Sequence, residues 1–195
     1  MERQGVRAKA RPTDASWTEA QQYVLRAQCG DRRAFGEIVR LVAPSLRAFI
    51  RHSARGALSR LSDDLAQETF LRMLRKLKDL REPGRLRPWA FQIAANVIFD
   101  AHRSDCRLPL QADEEPNDAV EPTFEVRVDN RVVASRALRA VPIDQAIVLV
   151  LLYVEGFDRR EVAEILGVPV GTVDSRRARG LAAARAVLEA EEESA

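Results

Sequence analysis

Residues 159–185 read RREVAEILGVPVGTVDSRRARGLAAAR, a pattern typical of two short helices joined by a tight turn. Apolar side chains at three- and four-residue spacing predict the first helix, which Asp158 is placed to cap. Glu161 stands three residues after Asp158, as a capping box requires. Gly167 predicts the left-handed residue that ends this helix, and Thr172 is a suitable cap for the next one.

The spacing of small and apolar residues in this stretch is that of a helix-turn-helix. Ala163 is small where the two helices would cross, Gly167 follows four residues later, and Val173 comes six beyond it to close the corner. An apolar helix that ends before Gly156 is expected to pack beneath the pair. The second helix would present polar side chains outward, where they could enter a DNA major groove: Ser175, Arg176 and Arg179. An ordinary helical hairpin is the alternative interpretation.

The charges of the chain are strongly segregated along its 195 residues. Residues 1–110 carry 21 Lys and Arg against 12 Asp and Glu, and residues 131–185 carry 9 against 6. The stretch between them, 111–130, carries 1 against 7. Two basic blocks on either side of an acidic stretch suggest two modules that face nucleic acid, joined by a linker that avoids it.

Composition argues against several other classes of protein. Cys29 and Cys106 lie far apart with no partner at metal-ligand spacing, so we expect buried structural thiols in a reducing cytoplasm rather than a disulfide or a zinc site. No uninterrupted apolar run approaches about 18 residues, and the N-terminus lacks an apolar signal core, so neither membrane insertion nor secretion is expected. The sequence has no GxxxxGK[ST] run and no evident nucleophile or carboxylate pair, so we expect neither an enzyme nor a cofactor.

Residues 62–80, SDDLAQETFLRMLRKLKDL, predict an amphipathic helix with acidic residues at its start and basic residues at its end. Its core-facing stripe has five members: Leu65, Thr69, Met73, Leu77 and Leu80. Gln67, Phe70 and Leu71 lie off this stripe, and an apolar pair on the polar side of a helix can serve a partner. The same charge pattern would also stabilise a helix that binds nothing, so both interpretations stand.

A basic loop with proline and glycine at 81–88 precedes a predicted helix that starts at Trp89, WAFQIAANVIFDAHR. Four polar residues recur at intervals of four, four and three and therefore share one face: Gln92, Asn96, Asp100 and Arg103. Amide, carboxylate and guanidinium groups hydrogen-bond to base edges, and Trp89 adds a surface on which bases can stack. A merely solvated helix face is the alternative.

The complete chain is expected to be all-α, with two small helical domains joined by a flexible acidic linker. The first domain would span 16–108 and the second 131–188. Residues 109–130 carry the prolines and acidic side chains of an extended linker. The basic segment 1–15 and the acidic segment 189–195 are interpreted as tails without regular structure.

Three stretches in this order resemble sigma-70-family initiation factors of the extracytoplasmic-function (ECF) type. SDDLAQETFLRMLRKL resembles region 2.2, which docks on the clamp coiled coil of the RNA polymerase β′ subunit. RPWAFQIAANVIFDAHR resembles regions 2.3 and 2.4, which melt and recognise the −10 element. VEGFDRREVAEILGVPVGTVDSRRARG resembles region 4.2, which recognises the −35 element. The resemblance covers about 18–108 and 131–188.

The resemblance implies three sets of contact residues. A polymerase-docking face would comprise Asp64, Leu65, Gln67, Glu68, Phe70, Leu71 and Arg72. For the −10 element the resemblance implies Asn96 and Asp100, and the residue pattern adds Trp89, Gln92 and Arg103 to this −10 set. For the −35 major groove the resemblance implies Ser175, Arg176 and Arg179, and the −35 set also includes Thr172 and Asp174 from the same helix. The implied partners are the RNA polymerase core, through its β′ clamp and β flap, promoter DNA, and an anti-sigma factor that wedges between the two domains.

The recognition helix departs from the family pattern. Asp174 stands where the family usually has Lys or Arg, and a carboxylate there repels phosphate although it can accept from cytosine N4. Arg177 and Leu181 also exchange the usual order of apolar and basic residues. Asp174 keeps open a second class, a sigma-like decoy that binds an anti-sigma factor without promoter activity. A conventional helix-turn-helix repressor is a third class, but it leaves the helices at 62–80 and 89–103 unexplained.

Overall fold

The computed structural model describes residues 12–54, 56–105, 138 and 140–193, which form eight α-helices and no strand. The first five are α1 (Pro12–Gln28), α2 (Arg32–Ser53), α3 (Ala57–Arg60), α4 (Ser62–Lys76) and α5 (Leu86–Asp105). The last three are α6 (Ile143–Leu149), α7 (Arg159–Leu166) and α8 (Val170–Glu193). Short 3-10 turns occupy Leu77–Asp79 and Pro83–Arg85, and a π-helical turn, Val150–Val154, continues α6. The prediction of an all-α fold is confirmed.

Helices α1 and α2 pack against each other through apolar stripes. On α1 the side chains of Trp17, Ala20 and Val24 are buried, as their spacing predicts. Asp31 caps α2, and its carboxylate accepts from the backbone N–H groups of Arg33 and Ala34 at 2.9 and 3.1 Å. The core-facing stripe of α2 is completely buried: Ile38, Val42, Leu46, Phe49 and Ile50.

Helices α4 and α5 complete the first group. All five residues of the stripe predicted on 62–80 are buried, and the Thr69 hydroxyl donates to the Leu65 carbonyl at 2.7 Å. Helix α5 begins at Leu86, three residues before the predicted start at Trp89. Pro88 does not prevent this earlier start, because an N–H in the first turn of a helix has no intrahelical acceptor.

Helices α7 and α8 form the predicted pair of helices with a tight turn between them. Asp158 and Glu161 make the capping box, and Gly167 ends α7 in the left-handed region with φ of 63°. Helix α8 begins at Val170, so Thr172 lies in its first turn, and the prediction that Thr172 caps the helix is wrong. The Thr172 N–H instead donates to the Pro169 carbonyl at 2.9 Å.

Glycine lets α8 approach α6 closely. A Cβ atom on Gly180 would lie 3.1 Å from Leu149 Cδ1 and 3.2 Å from Gln145 Cβ. Leu181, on the same side, packs against a small cluster that contains Val141, Ala146 and Leu149. The apolar helix predicted ahead of Gly156 therefore lies beneath the helical pair, as expected.

The first group of helices, α1–α5, and the second group, α6–α8, share one hydrophobic core. Phe91 of α5 lies against Phe49 of α2 at 5.1 Å between ring centroids and against Phe157 at 5.2 Å, both edge to face. Trp17 packs on the same ring at 5.7 Å. Phe157 belongs to the segment that leads into α7, so the described parts of the two predicted domains are in direct contact.

The ends of the predicted segments differ from the structure in two places. Helix α1 begins at Pro12, inside the segment predicted as a basic tail, and α8 continues to Glu193, inside the predicted acidic tail. The linker predicted at 109–130 lies outside the described residues, as does Cys106. Cys29 is exposed, so the prediction of a buried thiol is wrong for this residue. No helix in the described ranges is both long and apolar enough to cross a bilayer.

Candidate polymerase-docking and nucleic-acid interfaces

An open groove of about 320 Å³ runs between α2 and α4. Its lining combines apolar, acidic and basic side chains: Phe35, Arg47, Asp63, Asp64, Gln67, Phe70, Leu71 and Leu74. Leu71 and Leu74 are 40% and 48% exposed, which is unusual for leucine on a packed helix. An exposed apolar strip with charges beside it is suited to bind a helix of a partner protein.

The groove contains part of the predicted docking face and adds residues to it. Asp64, Gln67, Phe70 and Leu71 line the groove. Leu74 follows Leu71 by three residues and shares its face, so helical spacing alone could have found it. Phe35 and Arg47 come from α2, and their place beside α4 depends on how the two helices pack. Arg47 is paired there with Asp63 at 2.8 Å.

Three members of the predicted docking face lie elsewhere. Leu65 is only 7% exposed and packs in the core, so its assignment to a contact surface is wrong. Glu68 and Arg72 do not line the groove, and Arg72 contacts α5. Arg72 donates from Nε to Glu68 Oε1 at 2.7 Å and from Nη1 to Asp100 Oδ2 at 2.6 Å.

Asp100, a predicted −10 contact, is held by two arginines. Its second oxygen, Oδ1, accepts from Arg103 Nη2 at 2.5 Å. The hydrogen bond from Arg72, followed by that from Arg103, lowers the pKa of Asp100 below its usual value. The same contact with Asp100 is the main cause that raises the pKa of Arg72. Asp100 is therefore a carboxylate whose two oxygens are both engaged by protein groups.

The predicted −10 set divides into two parts. Asn96 and Arg103 are exposed, and Asp100 lies between them on the open surface of α5. Trp89 and Gln92 are half-buried and line an open cleft of about 350 Å³ between α5 and α7. The other walls of the cleft come from the segment before α5, from the first turn of α5 and from α7: Asp79, Leu80, Arg81, Glu82, Arg85, Pro88, Glu164 and Ile165.

Two arginines, one just before α5 and one in its first turn, contact the second group of helices, α6–α8. Arg85 is ion-paired with Glu164 of α7. Arg87 donates to the Glu155 backbone carbonyl, and its guanidinium lies 4.3 Å from the centroid of the Phe157 ring. In the sequence Arg87 stands beside Trp89 and Phe91, and charge next to stacking groups is what single-strand recognition requires. In the structure both arginines make contacts within the protein.

The −35 set is only partly exposed. Ser175 and Arg179 are exposed on α8, where Arg179 Nε donates to the Ser175 carbonyl at 3.3 Å. Arg176 pairs with Asp144 at 3.1 Å, and only 22% of its side chain is exposed. The prediction that Arg176 faces outward is wrong, because its position on α8 turns it toward α6.

Asp174 connects the two helices of the helix-turn-helix. Its carboxylate accepts from Arg159 Nη1 at 3.2 and 3.4 Å, and Arg159 is the first residue of α7. The carboxylate of Asp174, which departs from the family pattern, is therefore ion-paired with a guanidinium group of the neighbouring helix. In the described ranges no group of three or more His, Cys, Asp or Glu residues could hold a metal ion.

Two family models match the chain, one over the first group of helices and one over the second. The family model described as Sigma-70 region 2 matches residues 38–107, and the model described as Sigma-70, region 4 matches residues 131–183. The chain is 33% identical to the ECF RNA polymerase sigma factor EcfG of Rhodopseudomonas palustris, over 68% of this chain and 73% of that protein. It is 31% identical to the RNA polymerase sigma factor CarQ of Myxococcus xanthus, over 84% of this chain and 94% of that protein.

The fold has a counterpart among solved structures. The structure of CnrH in complex with the cytosolic domain of CnrY aligns with a TM-score of 0.61 at 25% identity, over 88% of this chain and 97% of that one. Some relatives are longer, and the chain spans 41% and 48% of the length of two of them. The two regions, matched in this order, and the identity to proteins of similar length lead to one conclusion: the chain belongs to the ECF group of the sigma-70 family of RNA polymerase sigma factors.

Proposed function

We propose that this chain is a specificity subunit that binds core RNA polymerase and directs transcription initiation at promoters with its own −35 and −10 elements. The observation that carries the proposal is the open groove on α2 and α4, where Leu71 and Leu74 expose apolar surface to solvent. The β′ clamp of the polymerase is the proposed occupant of the groove, and the β flap would bind the second group of helices. The chain would act in the bacterial cytoplasm, where both polymerase and promoters are found.

Helix α8 is the proposed −35 reader. Ser175 and Arg179 are exposed polar residues in its first half, and a second helix of a helix-turn-helix enters the major groove with its N-terminal part. Asn96 and Arg103 on α5 are the proposed contacts to the −10 element. Arginine contacts to phosphates would supply salt-dependent affinity, whereas the few groups that reach base edges would supply sequence choice.

The proposed role is not enzymatic. Opening the −10 element needs free energy, and capture of unstacked bases on protein surfaces supplies about 1–3 kcal/mol for each base. The half-buried Trp89 ring and the Gln92 amide line the cleft beside α7 and are suited to hold such a base. No nucleotide hydrolysis by the chain is required.

An anti-sigma factor is a further proposed partner. The solved relative CnrH is bound to the cytosolic domain of CnrY, and the cleft between α5 and α7 offers a place for such a partner. The alternative of a decoy without promoter activity rested on Asp174. Because Asp174 is paired with Arg159, its charge is partly neutralised inside the helix-turn-helix, and this feature no longer favours a decoy.

Run-off transcription tests the proposal. Bacterial core RNA polymerase is mixed with the purified chain and a template that carries the DNA upstream of its own gene. We expect transcripts that require the added chain. Leu71→Asp should abolish polymerase binding, whereas Asn96→Ala and Arg179→Ala should retain polymerase binding but lower transcription.

Leu25→Asp is the matched control, because it places the same carboxylate at a leucine that is 62% exposed on α1 outside the groove. Failure of the wild-type chain to bind core polymerase would contradict the proposal. So would equal effects of the Leu71 and Leu25 substitutions.

A further inference from the structure

The surfaces proposed for polymerase and for −10 DNA are linked by a run of alternating charges across α4 and α5. Arg72 of α4 lies between Glu68 of its own helix and Asp100 of α5, with N–O distances of 2.7 and 2.6 Å. The guanidinium uses a different nitrogen for each carboxylate, and because it is planar the two contacts together fix its orientation. Its side chain is only 30% exposed, which reduces screening by solvent.

Asp100 in turn orients Arg103. The second oxygen of Asp100 accepts from Arg103, whose side chain is 69% exposed on the α5 surface beside the exposed Asn96. A carboxylate with each oxygen held by a guanidinium group is fixed in its orientation. Arg103 keeps further N–H donors for DNA, since a guanidinium carries five.

We propose that Arg72 is a positioning residue for the −10 surface: through Asp100 it fixes the place from which Arg103 contacts DNA, and Asp100 orients rather than recognises a base. The inference rests on the proposed function and states how the same surface is held. It also joins α4, the polymerase-binding helix, to α5, the DNA-binding helix. Loss of Arg72 therefore lowers promoter opening even when every chain is bound to polymerase.

The test measures open complexes with the full chain, core RNA polymerase and a promoter that the wild-type chain transcribes. Reactivity of unpaired thymines to permanganate reports opening, at polymerase concentrations that saturate each variant. Arg72→Ala and Asp100→Asn should each lower opening about three- to tenfold, and the double variant should be no worse than the poorer single one. Arg72→Lys should be intermediate, because an ammonium group keeps the charge but lacks the planar fork.

Arg75→Ala is the control for charge on the same helix, since Arg75 is exposed and makes no ion pair within the described part of the chain. Affinity for core polymerase is measured separately, and thermal melting verifies that each variant is folded. Additive effects of Arg72→Ala and Asp100→Asn would overturn the inference, as would a loss confined to polymerase affinity or an equal loss in Arg75→Ala. A wild-type chain that opens no promoter overturns the proposed function and this inference with it.

Discussion

At the scale of single residues, the ion pair between Asp174 and Arg159 alters the charge that the helix-turn-helix presents to DNA. Arg159 lies at the start of α7, and the first helix of such a motif crosses the DNA backbone. Asp174→Ala removes a carboxylate and frees Arg159 for a phosphate. We therefore expect tighter binding to duplex DNA and a salt dependence steeper by about one released counterion.

Fluorescence anisotropy over a series of salt concentrations measures both effects. Glu189→Gln is the control, because it removes one negative charge from the exposed surface of the same helix, about four turns away. Equal changes in the two variants would mean that net charge alone, and not the freed Arg159, is responsible.

Asp158 makes the stability of the helix-turn-helix depend on pH. The backbone N–H groups of Glu161 and then Arg160 lower the pKa of its carboxyl below the usual value of 3.8. Because the folded-state pKa is the lower one, ionised Asp158 contributes stability above the unfolded-state pKa, and this contribution is lost as the pH falls through the folded-state pKa. Asp158→Asn keeps a capping side chain but does not titrate.

The expected result is a shallower loss of stability for Asp158→Asn than for the wild type below about pH 4. Urea unfolding at several pH values measures this loss. Parallel curves for the two proteins would show that the capping carboxylate does not contribute to acid unfolding.

At the scale of secondary-structure elements, Gly180 sets how closely α8 lies on α6. The Cβ atom of a side chain there would lie 3.1 Å from Leu149 Cδ1 and 3.2 Å from Gln145 Cβ. Gly180→Val is expected to lower the free energy of unfolding by about 1–3 kcal/mol through overpacking. Gly171→Val is the matched control, since a Cβ at Gly171 meets nothing within 4 Å. Chemical denaturation compares the two, and a loss in the control as large as that at Gly180 would assign the effect to helix propensity.

At the scale of the whole molecule, the shared core predicts that both groups of helices unfold together. Phe157 joins them through its contacts with the Phe91 ring and the Arg87 guanidinium. Differential scanning calorimetry of the wild type should show one transition with equal calorimetric and van't Hoff enthalpies. Phe157→Ala should lower the free energy of unfolding by about 3–5 kcal/mol and separate the transition into two.

Leu25→Ala, at a surface position of α1, should leave the single transition unchanged. Two transitions in the wild-type protein would mean that the groups fold independently and that their contact contributes little.

Much of the fold could be predicted because its signals are local. The stripe from Leu65 to Leu80, the capping box at Asp158 and the left-handed Gly167 each depend on residues within a few turns of one another. The starts of helices were less predictable, as Pro12, Leu86 and Val170 show, because weak local preferences at helix ends are overridden by packing. The exposed Cys29 was missed because burial depends on neighbours that are distant in sequence.

The sequence by itself determined the helical class, the helix-turn-helix pattern and the grouping of polar residues on α5, since hydrophobic periodicity and turn chemistry act over a few residues. Only the tertiary structure decided which charged side chains remain exposed and which are paired within the protein. Arg72 meets Asp100, Arg176 meets Asp144, and Arg85 meets Glu164 across helices that are far apart in the chain. Charged side chains on a predicted face take whichever partner packing brings within reach, and sequence spacing contains no information about partners on another helix.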